Sequence, residues 1–255
     1  MKIEKTPKFR ISLAANVDDI RAAQRLRYDV FVSELGSDGS LIDHDLQLEQ
    51  DRFDPFVDHI LLHDDAAGDV VGVYRLMRPD MALAAGQYYS QDEYDLSPLL
   101  RSGSKLLELG RSCLRPEYRG GIAMFYLWNA LAQYVSDHQI ELMFGVASFH
   151  GTDVAELAAP LSLLHHRHLA PETLRVRAIG GTVQSMNLIP EAELNRRAAM
   201  IQVPALIKAY LRLGGVVGEG AFVDHEFNTT DVCLILGTAN MNKRQLRIYS
   251  GGTNR

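Results

Sequence analysis

The stretch LELGRSCLRPEYRGGIAMFYLWNAL, residues 107–131, decides how this chain is read. An apolar segment from about 105 to 114 reads as a strand, Pro-Glu-Tyr-Arg-Gly-Gly interrupts it, and an apolar helix from about Gly121 to Asp137 follows. A strand that enters a helix through a glycine turn gathers backbone N–H groups and the positive end of the helix dipole at one point. Arg115 and Arg119 add side-chain charge there, so the corner is read as an anion site, with phosphate the natural occupant. The spacing is neither G-x-G-x-x-G nor G-x-x-x-x-G-K-[ST], which counts against dinucleotide and nucleoside-triphosphate binding.

Upstream, FRISLA (9–14) reads as a strand, and Asp18 or Asp19 caps a helix through Val32 that Gly36 stops. The acidic segment 37–58 is either a solvated loop or a flap over a site. HILLHD and VVGVYRLMR form a hairpin around DAAGD, and residues 79–103 are expected to be a mobile connection. Downstream, LMFGVASF and LRVRAIG read as strands, DVAELAAPLSLLHHRHL and PALIKAYLRLGG as helices, and GAFVDHEF with DVCLILG as a closing strand pair. With no repeat and no clear boundary, residues 1–255 are expected to form one α+β domain with a mixed sheet.

With 47% hydrophobic residues the chain can fill a core, and its net charge of −6 argues against a uniformly basic nucleic-acid surface. Cys113 and Cys233 lie in apolar runs without metal spacing, so we expect buried, reduced thiols and no disulfide or zinc site. The HHRH run at 165–168 mixes adjacent and i, i+3 histidines with an arginine and lacks an acidic partner. A solvated or phosphate-facing helix end is preferred there, and no metal site is expected. The N-terminal residues contain no apolar signal-like core, and no run reaches the roughly 20 apolar residues of a membrane span. A cytoplasmic protein is expected, one that meets a membrane only from the side.

Taken in order, LRYDVFVSELG (26–36), the acidic middle, GVYRLM (72–77) and LELGRSCLRPEYRGG resemble the GNAT acyltransferase superfamily. That resemblance implies a mostly antiparallel mixed sheet flanked by helices, with a core of about 9–150 and a C-terminal extension of about 151–255. It also implies that the glycine corner binds the phosphate end of a thioester donor. YRGGIAM is one residue shorter than the family's RGxGIG, which favours a donor with a single phosphate over coenzyme A. Glu108 and Arg111 in an E-x-x-R pattern, with Asp51 and Asp54, resemble the branch of acyl-homoserine lactone synthases and N-acyl amino acid synthases. DHILLHD, GVASFHGTD and DHEFNTTDVCLIL extend the likeness, within that branch, to members that acylate ornithine. The implied partners are acyl carrier protein, whose acyl-phosphopantetheine serves as donor with no permanently bound cofactor, and L-ornithine as acceptor. Glutamine, glycine or a lactone precursor derived from S-adenosylmethionine remain alternative acceptors, and a carrier-protein binding module remains an alternative to an enzyme.

N-acylation of an amino acid requires a neutral amine, a positioned thioester and a stabilised oxyanion. Glu108 is the preferred base, with an ion pair to Arg75 or Arg27 as its structural alternative, and His59 is the rival base. A regular strand puts Glu108 and Arg111 on opposite faces, so the pair converges only if the strand bulges or splays. Arg27 or Arg75 is read as a fork for the acceptor carboxylate, and Asp51, Asp54 and Glu34 as the site for its second ammonium. Backbone N–H groups beside Cys113 and Leu114 are read as oxyanion donors, and Arg115, Arg119, Gly120 and Gly121 as the phosphate site. Phe31, Leu76, Phe125 and Trp128 either line an acyl channel or simply fill the core. The helix PALIKAYLRLGG either touches a membrane surface or packs internally, and packing is preferred.

Overall fold

Local backbone chemistry fixes most of the elements in the computed structural model, which describes residues 6–240. β1 (Phe9–Leu13) leads to α1 (Val17–Arg27). The cap is Asn16, whose Oδ1 accepts the Asp19 amide at 3.0 Å while Asp19 Oδ2 accepts the Ala15 amide at 2.9 Å, a reciprocal arrangement. The expected single helix through Val32 changes character, because Tyr28–Glu34 is π-helical and ends at Gly36 with φ +77°. β2 (Asp58–Asp64) and β3 (Asp69–Met77) form the expected hairpin, turning through Gly68 at φ +80°.

Residues 79–103 are not a mobile connection. They form α2 (Pro79–Ala85), β4 (Tyr94–Asp95) and α3 (Ser97–Leu100), and they bury Tyr88, Tyr94, Leu96 and Leu99. Their polar composition concealed an apolar inner face. β5 (Leu106–Leu114) reaches the glycine corner, and α4 (Ala123–Asp137) starts two residues later than expected, with Gly120 at φ +73°. β6 (Leu142–His150) and α5 (Ala158–His168) follow, then β7 (Arg177–Ala178), all that forms of the strand expected at LRVRAIG. The rest comprises β8 (Val183–Gln184), α6 (Arg196–Gln202), α7 (Ala205–Arg212), β9 (Val216–Val217), β10 (Ala221–Asp224) and β11 (Thr229–Gly237).

The described chain gathers into two compact units that alternate in sequence, one taking residues 6–85 and 109–139, the other 86–108 and 140–240. In the first unit β1, β2 and β3 run antiparallel, and the end of β5 lies next to β3. Ala23, Leu26 and Val30 pack with Leu61, Val73 and Cys113. Gly72 makes this packing possible, since a Cβ there would stand 2.6 Å from Leu114 Cδ2 and 3.2 Å from Leu127 Cδ1. In the second unit the start of β5 pairs in parallel with β6, and the other strand ladders among the described residues are antiparallel: β6 with β11, β11 with β10 and β9, β10 with β8, and β4 with β7. The result is the expected mixed, mostly antiparallel sheet construction with flanking helices.

Candidate active site

In the first unit a buried ionic network forms around the segment that follows Gly36. Arg27 is 0% exposed. Its Nε donates to Glu49, Nη1 to Asp54 Oδ1 at 2.7 Å, and Nη2 to Asp54 Oδ2 at 2.9 Å and the Glu49 carbonyl at 2.7 Å. Arg75 Nη1 donates to Asp51 at 2.5 Å and to Asp54 at 3.2 Å, while Arg111 reaches Glu49 at 3.3 Å and Asp51 at 3.2 Å. Three guanidinium groups thus face three carboxylates, and Gln24 completes the Asp54 shell at 2.9 Å. Burial opposes ionisation of Asp54, but the Arg27 charge and hydrogen bonds, followed by Arg75, hold its carboxyl well below the usual range. The same contest, with Arg75 and Arg111 opposing burial, lowers Asp51.

This arrangement adds to the sequence reading. Arg27 or Arg75 was expected to take the acceptor carboxylate and Asp54 its second ammonium, and these three residues pair with one another at 0–4% exposure. Among the six network residues, Asp51 and Arg111 form the more open edge at 10% side-chain exposure each. Glu34 does not join the acids at all, because its carboxylate pairs with Arg119. Glu49 went unremarked in the sequence, although Leu48 and Phe53, buried on either side of it, mark a segment folded inward rather than solvated.

His59 pairs across the hairpin with Arg75, is 1% exposed, and places Nε2 3.3 Å from the Asp54 carbonyl. Burial lowers its pKa, so the ring is neutral at physiological pH. With Nε2–H as the donor to that carbonyl, Nδ1 carries the lone pair, and it has no hydrogen-bond partner among the described residues. Arg111 sits at φ +49°, a local departure from regular strand geometry.

In the second unit Glu108 is 4% exposed, and its two carboxylate oxygens accept the main-chain amides of Tyr89 at 2.8 Å and Ser90 at 2.7 Å. Such amide pairs are charge-assisted hydrogen bonds when the carboxylate is ionised. Also in this unit, Glu93, Asp224 and Asp231 bring carboxylate oxygens within 4.8 Å of one another, a cluster the sequence did not reveal. The HHRH run is occupied otherwise: His166 pairs with the Ile189 carbonyl at 2.9 Å, and Arg167 with Glu191 at 3.2 Å.

At the glycine corner Arg119 donates from both terminal nitrogens to Glu34, at 2.5 and 2.7 Å, and from Nε to the Leu114 carbonyl at 3.0 Å. Arg115 pairs with Asp69 at 3.0 Å. α4, 15 residues long, starts after Ile122 without a side-chain cap. A Cβ at Gly120 would meet nothing within 4 Å, and one at Gly121 only the Tyr118 carbonyl at 3.9 Å, so the corner is sterically open. Cys113, beside it on β5, is pushed up to about 12 by burial, which removes it as a thiolate nucleophile. Leu76 and Trp128 are buried, and Phe31 and Phe125 are half-buried.

Residues 26–129, from the end of α1 to the middle of α4, match the acetyltransferase (GNAT) domain. The fold is shared with the solved CoA-dependent acyl-homoserine lactone synthase MesI, at TM-score 0.53 and 14% identity over 96% of this chain and 97% of that one. A second such synthase, BjaI with MTA, gives TM-score 0.53 and 15% identity over 95% and 88%. The chain thus carries a GNAT acyltransferase domain over residues 26–129. L-ornithine N(alpha)-acyltransferase of Rhodobacter capsulatus is 56% identical across 95% of both chains. The Brucella abortus enzyme of that name is 42% identical over 97% of this chain and 90% of that protein. This chain belongs to the L-ornithine N(alpha)-acyltransferase family.

Proposed function

We propose that the protein moves a 3-hydroxyacyl group from the phosphopantetheine thioester of acyl carrier protein to the α-amino group of L-ornithine, giving lyso-ornithine lipid. The observation that carries the mechanism is Glu108, a buried carboxylate fixed by two main-chain amides on the strand that runs into the glycine corner. Glu108 takes a proton from the acceptor ammonium, and the free amine attacks the thioester carbonyl. A C–N bond forms, the carbonyl electrons move to oxygen beside the N–H groups near Cys113 and Leu114, and collapse breaks the C–S bond. The attacking nitrogen sheds its second proton as the amide forms, and the departing thiolate takes up one proton. Direct attack suits this chain because the Cys113 thiol is held protonated.

Arg111 and Asp51, the open edge of the ionic network, are the candidates for the charged groups of ornithine. Arg115, Arg119, Gly120 and Gly121 form the candidate phosphate site. His59 is the second candidate base, favoured by its neutral ring and its unpaired Nδ1. No helix among the described residues is long and apolar enough to cross a membrane. α7 buries Ile207 and Tyr210, which supports packing over membrane contact for that helix. The reaction belongs in the cytoplasm, where carrier protein and amino acid meet, with peripheral contact to the inner membrane needed only to deliver the product.

The test is to incubate the purified protein with a 3-hydroxyacyl carrier-protein thioester and ornithine, glutamine or glycine, and to detect the N-acyl product by mass. N-acylornithine is the expected product. Acylation of glutamine or glycine in its place would overturn the acceptor assignment.

A further inference from the structure

If the glycine corner is the donor phosphate site proposed above, its electrostatics are unusual for a site built on two arginines. Arg119 has all three guanidinium nitrogens engaged, two by Glu34 and one by the Leu114 carbonyl. Arg115 is paired with Asp69 at 3.0 Å. The two cations are therefore cancelled by two carboxylates, and the positive character that remains comes from the uncapped end of α4, worth about half a charge. Glu34 reaches Arg119 from the π-helical turn Tyr28–Glu34, in which the Leu35 amide closes five residues back on the Val30 carbonyl at 3.2 Å. That widened turn changes the side of the helix from which residue 34 leaves, relative to an α-helical continuation.

A carrier-protein arm presents a phosphodiester with one negative charge. Coenzyme A presents a diphosphate and a further phosphate monoester. A corner whose arginines are already neutralised suits the former and repels the latter through the Glu34 carboxylate. We propose that Glu34 is a specificity-determining residue, one that selects a singly charged phosphodiester donor against coenzyme A thioesters by occupying Arg119.

The first measurement is calorimetric binding of coenzyme A to wild type, Glu34→Gln and Glu34→Asp, with circular dichroism to verify folding. Glu34→Gln is expected to bind coenzyme A roughly tenfold more tightly than wild type, with the gain shrinking as salt is raised. Glu34→Asp keeps the charge and is expected to stay near wild type. Adding Arg119→Ala to Glu34→Gln is expected to abolish the gain. In turnover, Glu34→Gln should lower KM for an acyl-coenzyme A about tenfold with kcat unchanged, while acyl carrier protein changes by less than about twofold. Equal effects on both donors, or unchanged coenzyme A binding in a folded Glu34→Gln protein, would overturn the proposal. The binding measurement needs no acceptor, so failure to acylate ornithine would count against the proposed function and leave this result standing. A wild type that binds coenzyme A tightly would overturn the inference directly.

Discussion

The two units bury charge in different ways. In the first, Arg27, Arg75 and Arg111 neutralise Glu49, Asp51 and Asp54 through side-chain pairs. In the second, Glu108 rests on two main-chain amides, and Glu93 and Asp231 lie buried near Tyr94, whose ionisation is suppressed by burial and then by Cys233 and these carboxylates. A side-chain network is a structural commitment, because removing one partner strands the others in a medium that solvates them poorly. Main-chain donors stay in place whether the carboxylate they hold is charged or protonated. In the function proposed above, the first arrangement organises the fold and offers Asp51 and Arg111 at its open edge, and the second supplies the base.

The comparison can be broken most forcefully at Arg27. Arg27→Ala leaves Glu49 and Asp54 buried without their main counter-charge and should cost about 3–5 kcal/mol in urea unfolding. A loss under about 1 kcal/mol would show that the network is dispensable.

Acidification probes the same network more gently, and the sign follows from the direction of each shift. Asp54 and Asp51 are lowered in the fold, so their contribution is present above the unfolded carboxylate value and is lost as pH falls below it, under about 4. His59 is also lowered, from 6.5, so the unfolded chain binds its proton first and stability starts to decline as pH falls through 6.5. Thermal melts across pH should therefore show two stages of acid destabilisation, and His59→Gln should weaken the earlier one, to which His63, His165 and His168, also lowered by burial, contribute the rest. In turnover, His59→Gln should keep kcat within about threefold of wild type if Glu108 is the base, against the 10²–10⁴-fold that general bases typically supply. The smallest effect is expected at the exposed Arg115–Asp69 pair, where Arg115→Ala should change stability by less than about 1 kcal/mol.

Much of this layout can be read from local sequence. The β2–β3 hairpin follows from alternation and Gly68, and the β5–α4 corner from its apolar runs and glycines. The network residues Arg27, Asp51, Asp54, Arg75 and Arg111 were individually visible, but their pairing was not, because partners such as Arg111 and Glu49 are 62 positions apart. Reading Arg27, Arg75, Asp51 and Asp54 one by one, as ligands for a substrate, did not show that they also pair with one another. The segment 79–103 misled because its polar residues outnumber its anchors. Tyr94 secures it by donating to the Gly220 and Asp231 carbonyls, 126 and 137 residues away, a contact no local pattern encodes. The π-helical turn was equally hidden, since LRYDVFVSELG has ordinary helical spacing, and with it went the true partner of Glu34.

The division between a structural network and a chemical carboxylate is tested most directly by the kcat of Glu108→Gln with 3-hydroxyacyl carrier protein and ornithine. The account predicts a fall of at least about 100-fold in a protein that still folds, with stability lowered by about 1–3 kcal/mol because the introduced amide nitrogen cannot accept from one of the two main-chain N–H groups. Wild-type kcat in a folded Glu108→Gln protein would contradict it and pass the role of base to His59.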